Sequence, residues 1–204
     1  MLRLKTIIFL LLFLFSFKKN IAQNFKSKVC GGINFSQVDG DKYAGYNKIG
    51  SKVGFTFYRE FEKNKNLGFE LNYSSKGSRK KVTEEDPSIF KLRINYICLP
   101  VFIDFKNVLK GYEKIILKIG ISPNILINSK TDFGFGWQKN NLKPMELSSI
   151  VGILYQINSK SELALIHENS ILSIGNSYAD AQYFLLFHRG LFNRLVSFVT
   201  YYRF

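Results

Sequence analysis

Hydrophobic and polar residues alternate with a period of two along most of the chain. The pattern recurs in eight segments of roughly ten residues that are rich in Val, Ile, Phe and Tyr, whereas helical periodicity is scarce. This period and these residue types are typical of β-strands. The sequence therefore predicts eight strands, at about residues 28–36, 49–60, 66–76, 91–105, 113–127, 146–157, 160–172 and 192–204.

The connections between the predicted strands alternate in length. From first to last they contain about 12, 5, 14, 7, 18, 2 and 19 residues. An outer-membrane β-barrel has short periplasmic turns and long extracellular loops, whereas a soluble sandwich has no reason to place all its long loops at one end. The alternation therefore predicts a transmembrane barrel with four long outer loops and with both termini on the periplasmic side.

Each predicted strand has one apolar and one polar side. Phe69 and Leu71, for example, oppose Glu70 and Asn72. In a narrow barrel the apolar side faces lipid and the polar side fills the interior, where buried charges need partners. We therefore expect an interior ionic network of five acids and five bases, with a solvated position as the alternative for members near the rims. The members are drawn from Lys52, Glu60, Glu70, Lys76, Asp104, Lys114, Lys118, Glu162, Glu168 and Arg203.

The final predicted strand ends with the sequence itself. Phe198, Tyr202 and Phe204 share one of its sides, and Tyr202 and Phe204 form a C-terminal barrel signature that suits an interfacial aromatic girdle. Such a strand can pair with the first one and leave no exposed edge. The predicted fold class is all-β, an eight-stranded antiparallel transmembrane up-and-down β-barrel.

The first 22 residues have the order of a secretory signal peptide. Arg3 and Lys5 precede an apolar run that ends at Phe17, and a polar stretch leads to Ala22. The run has about half of the roughly 20 residues that a spanning helix needs, so a permanent anchor is the weaker interpretation. We predict cleavage after Ala22, to within a few residues, and a barrel domain over residues 23–204.

The composition is strongly basic. The chain has 29 Lys and Arg against 15 Asp and Glu, a net charge of +14, and removal of the four leader cations leaves 25 against 15, or +10. Such an excess attracts polyanions. Because export argues against nucleic acid, the expected partners are outer-membrane lipid and lipopolysaccharide, together with other envelope proteins.

Several stretches carry a family resemblance. They are GGINFS at 31–36, GFELNYSSKG at 68–77, LRINYICLPV at 92–101 and YRF at 202–204. In these residues the chain resembles the PorT-like outer-membrane β-barrel family of Bacteroidetes-type bacteria, although Cys98 stands where that family typically has an acid. The resemblance implies a barrel fold and an outer-membrane address, and it implies no catalytic residue.

Residues suited to chemistry are few. His167 and His188 lie outside any zinc-type spacing, so no metal or cofactor is predicted. Cys30 and Cys98 are both expected to face inward on strands that are not neighbours, which favours free thiols over a disulfide. An outer-rim lipase or protease site would need a serine motif near His188, and none stands out.

Three outer loops carry distinctive residues. The charge run at 78–86 is typical of a solvated loop, with anionic lipid headgroups as the alternative ligand. The glycine-aromatic cluster at 133–137 either folds over the barrel mouth, contacts a partner or packs on its own neighbours. The apolar residues at 178–187 suggest a strand that extends above the membrane.

These patterns support a non-enzymatic envelope barrel with structural or binding duties and an unidentified ligand. Two alternatives stay open at this stage. The resemblance suggests an accessory of protein secretion or gliding machinery. A soluble calycin-like barrel for a small apolar ligand is the other, although it would need an apolar lumen.

Overall fold

The structure is a computed structural model that describes residues 25–43, 45–176, 184–185 and 188–204. The predicted leader lies outside these ranges. Among the described residues no helix is long and apolar enough to cross a membrane. Twelve β-strands occur within the described ranges: β1 Lys26–Asp39, β2 Lys48–Glu62, β3 Lys65–Arg79, β4 Lys91–Cys98, β5 Val101–Lys106, β6 Ile115–Asp132, β7 Trp137–Lys139, β8 Met145–Gln156, β9 Ser161–Ser170, β10 Phe184–Leu185, β11 His188–Arg189 and β12 Phe192–Arg203.

Eight antiparallel barrel strands form a closed wall. Seven of them are β1, β2, β3, β6, β8, β9 and β12, and the eighth consists of β4 and β5 together. The short β7 adds to the end of β6, and β10 pairs only with β11. The prediction of an eight-stranded up-and-down barrel is therefore confirmed.

The barrel strand made of β4 and β5 is interrupted at Leu99 and Pro100. The Leu99 N–H still donates to the Pro123 carbonyl at 2.9 Å, and the Glu70 N–H donates to the Pro100 carbonyl at 2.9 Å. Proline has no N–H to add to a strand ladder, so the single predicted strand at 91–105 divides where Pro100 falls. The two halves remain in line within the wall.

The wall closes between the first and the last strand. β1 and β12 pair from Lys28 opposite Arg203 to Asp39 opposite Phe192, as the sequence predicted. Closure gives the outermost strands partners and removes the exposed edges that would otherwise template aggregation.

The two faces of the wall differ in the way that hydrocarbon surroundings require. On β2, Val53 and Phe55 are 57% and 54% exposed on the outside, whereas Lys52 and Thr56 on the inside are 3% and 1% exposed. A soluble calycin-like barrel would have the opposite distribution, with an apolar lumen and a polar exterior. That alternative does not fit the structure.

The connections at one end of the barrel are shorter on the whole than those at the other end. One end has the turns at 63–64, 107–114 and 157–160, and the other end has the connections at 40–47, 80–90, 133–144 and 171–191. By the usual asymmetry of outer-membrane barrels, the second end is extracellular.

Apolar side chains close the extracellular end. Phe90, Leu142 and Ile174 belong to three different outer connections, and each is buried on the mouth of the barrel. Together with side chains from the wall they form a cluster that we call the outer cap: Val38, Phe90, Leu92, Ile94, Tyr96, Cys98, Leu142, Ile174 and Leu191.

Candidate functional site

The lumen contains a buried carboxylate with a complete set of partners. Glu70 lies 3.4 Å from the Lys52 ammonium and accepts hydrogen bonds from Thr56 Oγ1 at 2.9 Å, Asn72 Nδ2 at 2.8 Å and Tyr201 Oη at 3.1 Å. These residues come from β2, β3 and β12, so Glu70 joins separate parts of the wall. Each donor offsets part of the cost of burying the charge.

A second group of charges lies nearer the outer cap. The Lys76 ammonium is 2.8 Å from Glu168 and 3.3 Å from Glu146, and the Lys76 side chain is completely buried. We call these three residues the central ion cluster. The cluster has two acids and one base. The additional negative charge is stabilised by hydrogen bonds that Glu146 accepts from Asn124 at 3.2 Å and Asn193 at 3.1 Å.

A third group lies at the periplasmic end. Lys28 pairs with Glu162 at 2.6 Å, and Arg203 reaches the same carboxylate at 3.4 Å. Lys118 lies 3.3 Å from Asp104, and its ammonium stands 3.1 Å from the centre of the Phe102 ring, although the gain from such cation–π contact is modest. Paired charges therefore occur at three levels of the lumen below the outer cap, beside a second cluster of buried apolar side chains from β6, β8, β9 and β12.

A cleft of about 490 Å³ opens in the wall near the extracellular end. It lies beside the ends of β2, β3, β4 and β7, and we call it the β2–β3 cleft. Its lining includes outward-facing side chains and lumen-facing side chains: Lys48, Ile49, Gly50, Ser51, Tyr73, Ser75, Ser78, Arg79, Lys91, Leu92, Arg93, Asn95 and Trp137.

The fold and its ionic lumen agree with the comparison of the sequence with known families. Residues 21–187 match the family described as "Outer membrane protein beta-barrel domain". The chain belongs to this family. It is an outer-membrane β-barrel, as the alternation of its loops and faces predicted, whereas the match does not extend to the PorT-like group in particular.

Solved structures of outer-membrane barrels have the same fold. Neisserial surface protein A is 12% identical, with a TM-score of 0.56 over 87% of this chain and 97% of that one. Ail, the attachment invasion locus protein of Yersinia pestis, determined in complex with the heparin analogue sucrose octasulfate, is 14% identical, with a TM-score of 0.51 over 88% and 99%. At these identities the likeness concerns the fold. No curated protein matches the sequence.

Most of the charged residues assigned to the interior of this outer-membrane barrel are buried there. These residues are Lys52, Glu70, Lys76, Asp104, Lys118, Glu162 and Glu168. Arg203 lies at the periplasmic rim, with 29% of its side chain exposed. The C-terminal Tyr202 and Phe204 are exposed on the outside, and their rings meet edge to face with 6.5 Å between centres.

The interior placement was wrong for Glu60 and Lys114, which are exposed and take the solvated alternative. Glu60 lies beside the turn at 63–64 and accepts a hydrogen bond from the Asn64 N–H at 3.4 Å. Lys114 precedes the first residue of β6, Ile115. In the alternation along the chain, both residues fall on the side that faces inward. Glu60 lies on the part of β2 beyond the lumen and Lys114 lies outside β6, so both side chains reach solvent.

Three interior charges were missed, Lys28, Lys48 and Glu146, which are 4%, 8% and 3% exposed. Each one lies at or just beyond the boundary of a predicted strand. Extending the alternation by one residue would have found Lys48, which has the same parity as Lys52 on β2. The alternation therefore indicated an inward position for Lys48, but the predicted strand began one residue too late to include it.

Neither thiols nor histidines form a reactive site in the described residues. Cys30 and Cys98 are buried and free. His167 lies on the exposed face of β9 while its neighbour Glu168 faces the lumen. No group of three His, Cys, Asp or Glu suited to a metal ion occurs in the part of the chain that the structure describes.

The glycine-aromatic cluster at 133–137 packs in part on neighbouring side chains at the barrel mouth. The Phe133 ring packs on the outer cap, 5.5 Å from the Phe90 ring, and the Arg93 guanidinium lies 4.8 Å from the centre of the Trp137 ring. Phe135 is 91% exposed. The cluster therefore helps to cover the mouth and also presents one aromatic ring to solvent.

The apolar segment at 178–187 lies mostly outside the described residues.

A buried acid lies in the outer connection at 40–47. Asp41 is 2% exposed, and its Oδ1 accepts a hydrogen bond from the Tyr43 N–H at 2.8 Å. Burial raises the pKa of Asp41 to about 6, because desolvation disfavours the charged carboxylate.

We expect the Asp41 contribution to stability to decrease as the pH rises from about 4 to about 6. The folded state keeps the Asp41 proton up to about pH 6, whereas the unfolded chain loses it near the ordinary value of 3.8, so rising pH favours unfolding in this window. Asp41→Asn removes the ionisable group and should gain stability over the natural protein at pH 7 but not at pH 4. The temperature at which half of the barrel has changed its migration on gels measures this difference in stability. An equal difference between the two proteins at both pH values would contradict the raised pKa of Asp41.

Proposed function

We propose that this outer-membrane barrel is a non-enzymatic envelope protein that presents its capped outer end at the cell surface for structural or binding duties. The observation that carries the proposal is the packed lumen. Lys76, Tyr96 and Tyr201 are among the largest fully buried side chains. Eight strands leave an interior that side chains can fill, and here paired charges and the outer cap occupy it.

The alternative of a general porin needs a water-filled path, and the packing of the lumen argues against one. We expect the purified protein to show no steady open state in planar lipid bilayers at neutral pH. A trimeric general porin, reconstituted in the same way, provides the positive control. A large and steady conductance that scales with the amount of inserted barrel would overturn the proposal.

A finer assignment to the PorT-like group is a second candidate. It is supported by the stretch at 92–101, in which Pro100 falls at the interruption between β4 and β5. On this assignment the barrel serves as an accessory of protein secretion or gliding machinery. Crosslinking in intact cells, followed by capture of the barrel, tests the idea, and recovery of the barrel without any secretion component would end it.

A further inference from the structure

The β2–β3 cleft lies where two neighbouring strands stop pairing before either strand ends. The ladder between β2 and β3 stops at Lys52 opposite Ser74. β2 nevertheless continues along β1 as far as Lys48, and β3 continues along β4 as far as Arg79. The outer part of this wall therefore lacks a ladder between β2 and β3.

Side chains hold the two strands at this point in place of the ladder. The Asn34 amide donates to the Ser51 and Ser75 carbonyls at 3.2 Å each, and the Lys48 ammonium donates to Ser75 Oγ at 2.7 Å. The close approach also requires a glycine, because a Cβ on Gly50 would clash with the Ser75 carbonyl oxygen. The geometry of the cleft is thus fixed by specific residues.

The cleft has a strong excess of positive charge. Its described lining includes four cations, Lys48, Arg79, Lys91 and Arg93, and no acid. Only Lys91 has a carboxylate nearby, that of Asp132 at 3.5 Å. A second, smaller cleft shares Arg79 and adds Lys81 together with Lys80, which pairs with Asp86, so the positive surface continues beside the first cleft.

Lys48 is the unusual member of this group. Its side chain is buried, and no described carboxylate forms an ion pair with its ammonium, while Arg93 is close enough to repel it. Every other buried lysine in the described lumen, namely Lys28, Lys52, Lys76 and Lys118, has an acid partner. A buried cation without a counter-ion is costly, so an anion placed in the cleft would complete it.

The surroundings of the cleft also suit an acyl chain. Ile49 is 68% exposed on the lipid-facing side of the wall, and Tyr73 and Trp137 lie beside it. Interfacial aromatics mark the level at which lipid headgroups lie. Guanidinium groups bind phosphate oxygens with two hydrogen bonds, which lysine cannot imitate, and Arg79 and Arg93 stand at this level.

We propose that the β2–β3 cleft binds the phosphorylated headgroup of an outer-leaflet glycolipid of the lipid A type. The phosphate contacts Arg79 and Arg93 and faces Lys48, and an acyl chain lies along Ile49 and Tyr73. The proposal is independent of whether the lumen conducts, because the cleft is in the side of the wall.

The test uses the full mature barrel in detergent micelles and titrates it with bisphosphorylated lipid A, with binding followed by native mass spectrometry. The double variant Arg79→Gln and Arg93→Gln should bind at least tenfold more weakly. The control variant Lys106→Gln and Lys114→Gln removes the same charge at the periplasmic end and should bind as the natural protein does. Heat-modified migration on gels verifies that each variant is folded.

Two further arms identify the ligand. Lipid A from which both phosphates have been removed should bind at least tenfold more weakly to the natural protein, and inorganic phosphate at 50 mM should leave lipid A bound. Lys48→Met should weaken binding without lowering the midpoint of unfolding in lipid-free micelles, because it removes a cation that has no counter-ion. Equal binding by the arginine variant, equal binding of the dephosphorylated lipid, or displacement by inorganic phosphate would each overturn the proposal.

Discussion

Replacing Lys76 by methionine is expected to lower the free energy of unfolding by about 3–5 kcal/mol, which is the usual effect of removing one partner from a buried ion pair. The substitution keeps the length of the side chain but removes the ammonium that pairs with both Glu146 and Glu168. The Lys76 side chain is completely buried, so water cannot take its place without rearrangement of the wall.

Urea titration of the barrel in phospholipid vesicles measures this loss through the fluorescence of the single tryptophan, Trp137. Lys114→Met is the matched control, because Lys114 is exposed, and we expect a change within about 0.5 kcal/mol. The triple variant that adds Glu146→Gln and Glu168→Gln should recover a large part of the loss. A change of less than 1 kcal/mol in the single variant would contradict the role of the central ion cluster.

Replacing Phe90 by alanine is expected to release the outer cap and to destabilise the barrel by about 3–5 kcal/mol, as truncation of a buried Phe usually does. Phe90 is 2% exposed, and its ring lies 4.5 Å from that of Tyr43 and 5.5 Å from that of Phe133. These two neighbours belong to different outer connections. Loss of the Phe90 ring therefore frees both connections at once.

Hydrogen exchange of the outer connections provides the readout, together with the urea midpoint in vesicles. Phe135→Ala is the control, since Phe135 belongs to the same glycine-aromatic cluster as Phe133 but is 91% exposed. We expect it to leave both measurements unchanged. Faster exchange at 40–47 and 133–144 in the Phe90 variant alone would support the cap, and equal exchange in the two variants would argue against it.

The barrel fold was predictable because two regular patterns occur in the sequence, the alternation of apolar and polar residues and the alternation of loop lengths. The alternation on β2 and β3 is strict, so a side chain such as Glu70 could be assigned to the interior without any structure. The loop lengths predicted which end of the barrel faces the outside of the cell. The division of the fourth barrel strand was less accessible, because Pro100 interrupts the ladder without breaking the alternation of side chains.

The charged lumen was predictable only in part. Alternation gives the side of the wall but not the depth along the barrel, and depth separates buried Lys118 from exposed Lys114 four residues earlier. Pairing was less accessible still. Lys76 meets Glu146 and Glu168, which lie 70 and 92 residues away, because the wall curves round, and no local pattern encodes such a contact.

The β2–β3 cleft could not have been predicted from the sequence. It results from a ladder that ends early at Lys52 and Ser74, and the residues beyond that point keep the alternation of ordinary strands. Gly50 and Asn34 are the only local indications, a small residue where strands approach closely and an amide on an inward position. Neither is distinctive without the three-dimensional arrangement.

The accessibility of Cys30 and Cys98 to thiol reagents can be used to follow the folding of the barrel. Both sulfur atoms are enclosed by the finished wall, at 3% and 1% exposure, whereas an unfolded chain in transit across the periplasm would offer them to any thiol reagent. A maleimide pulse applied to cells would therefore label the unfolded chain and spare the folded barrel, so the fraction of labelled molecules measures how quickly insertion is completed.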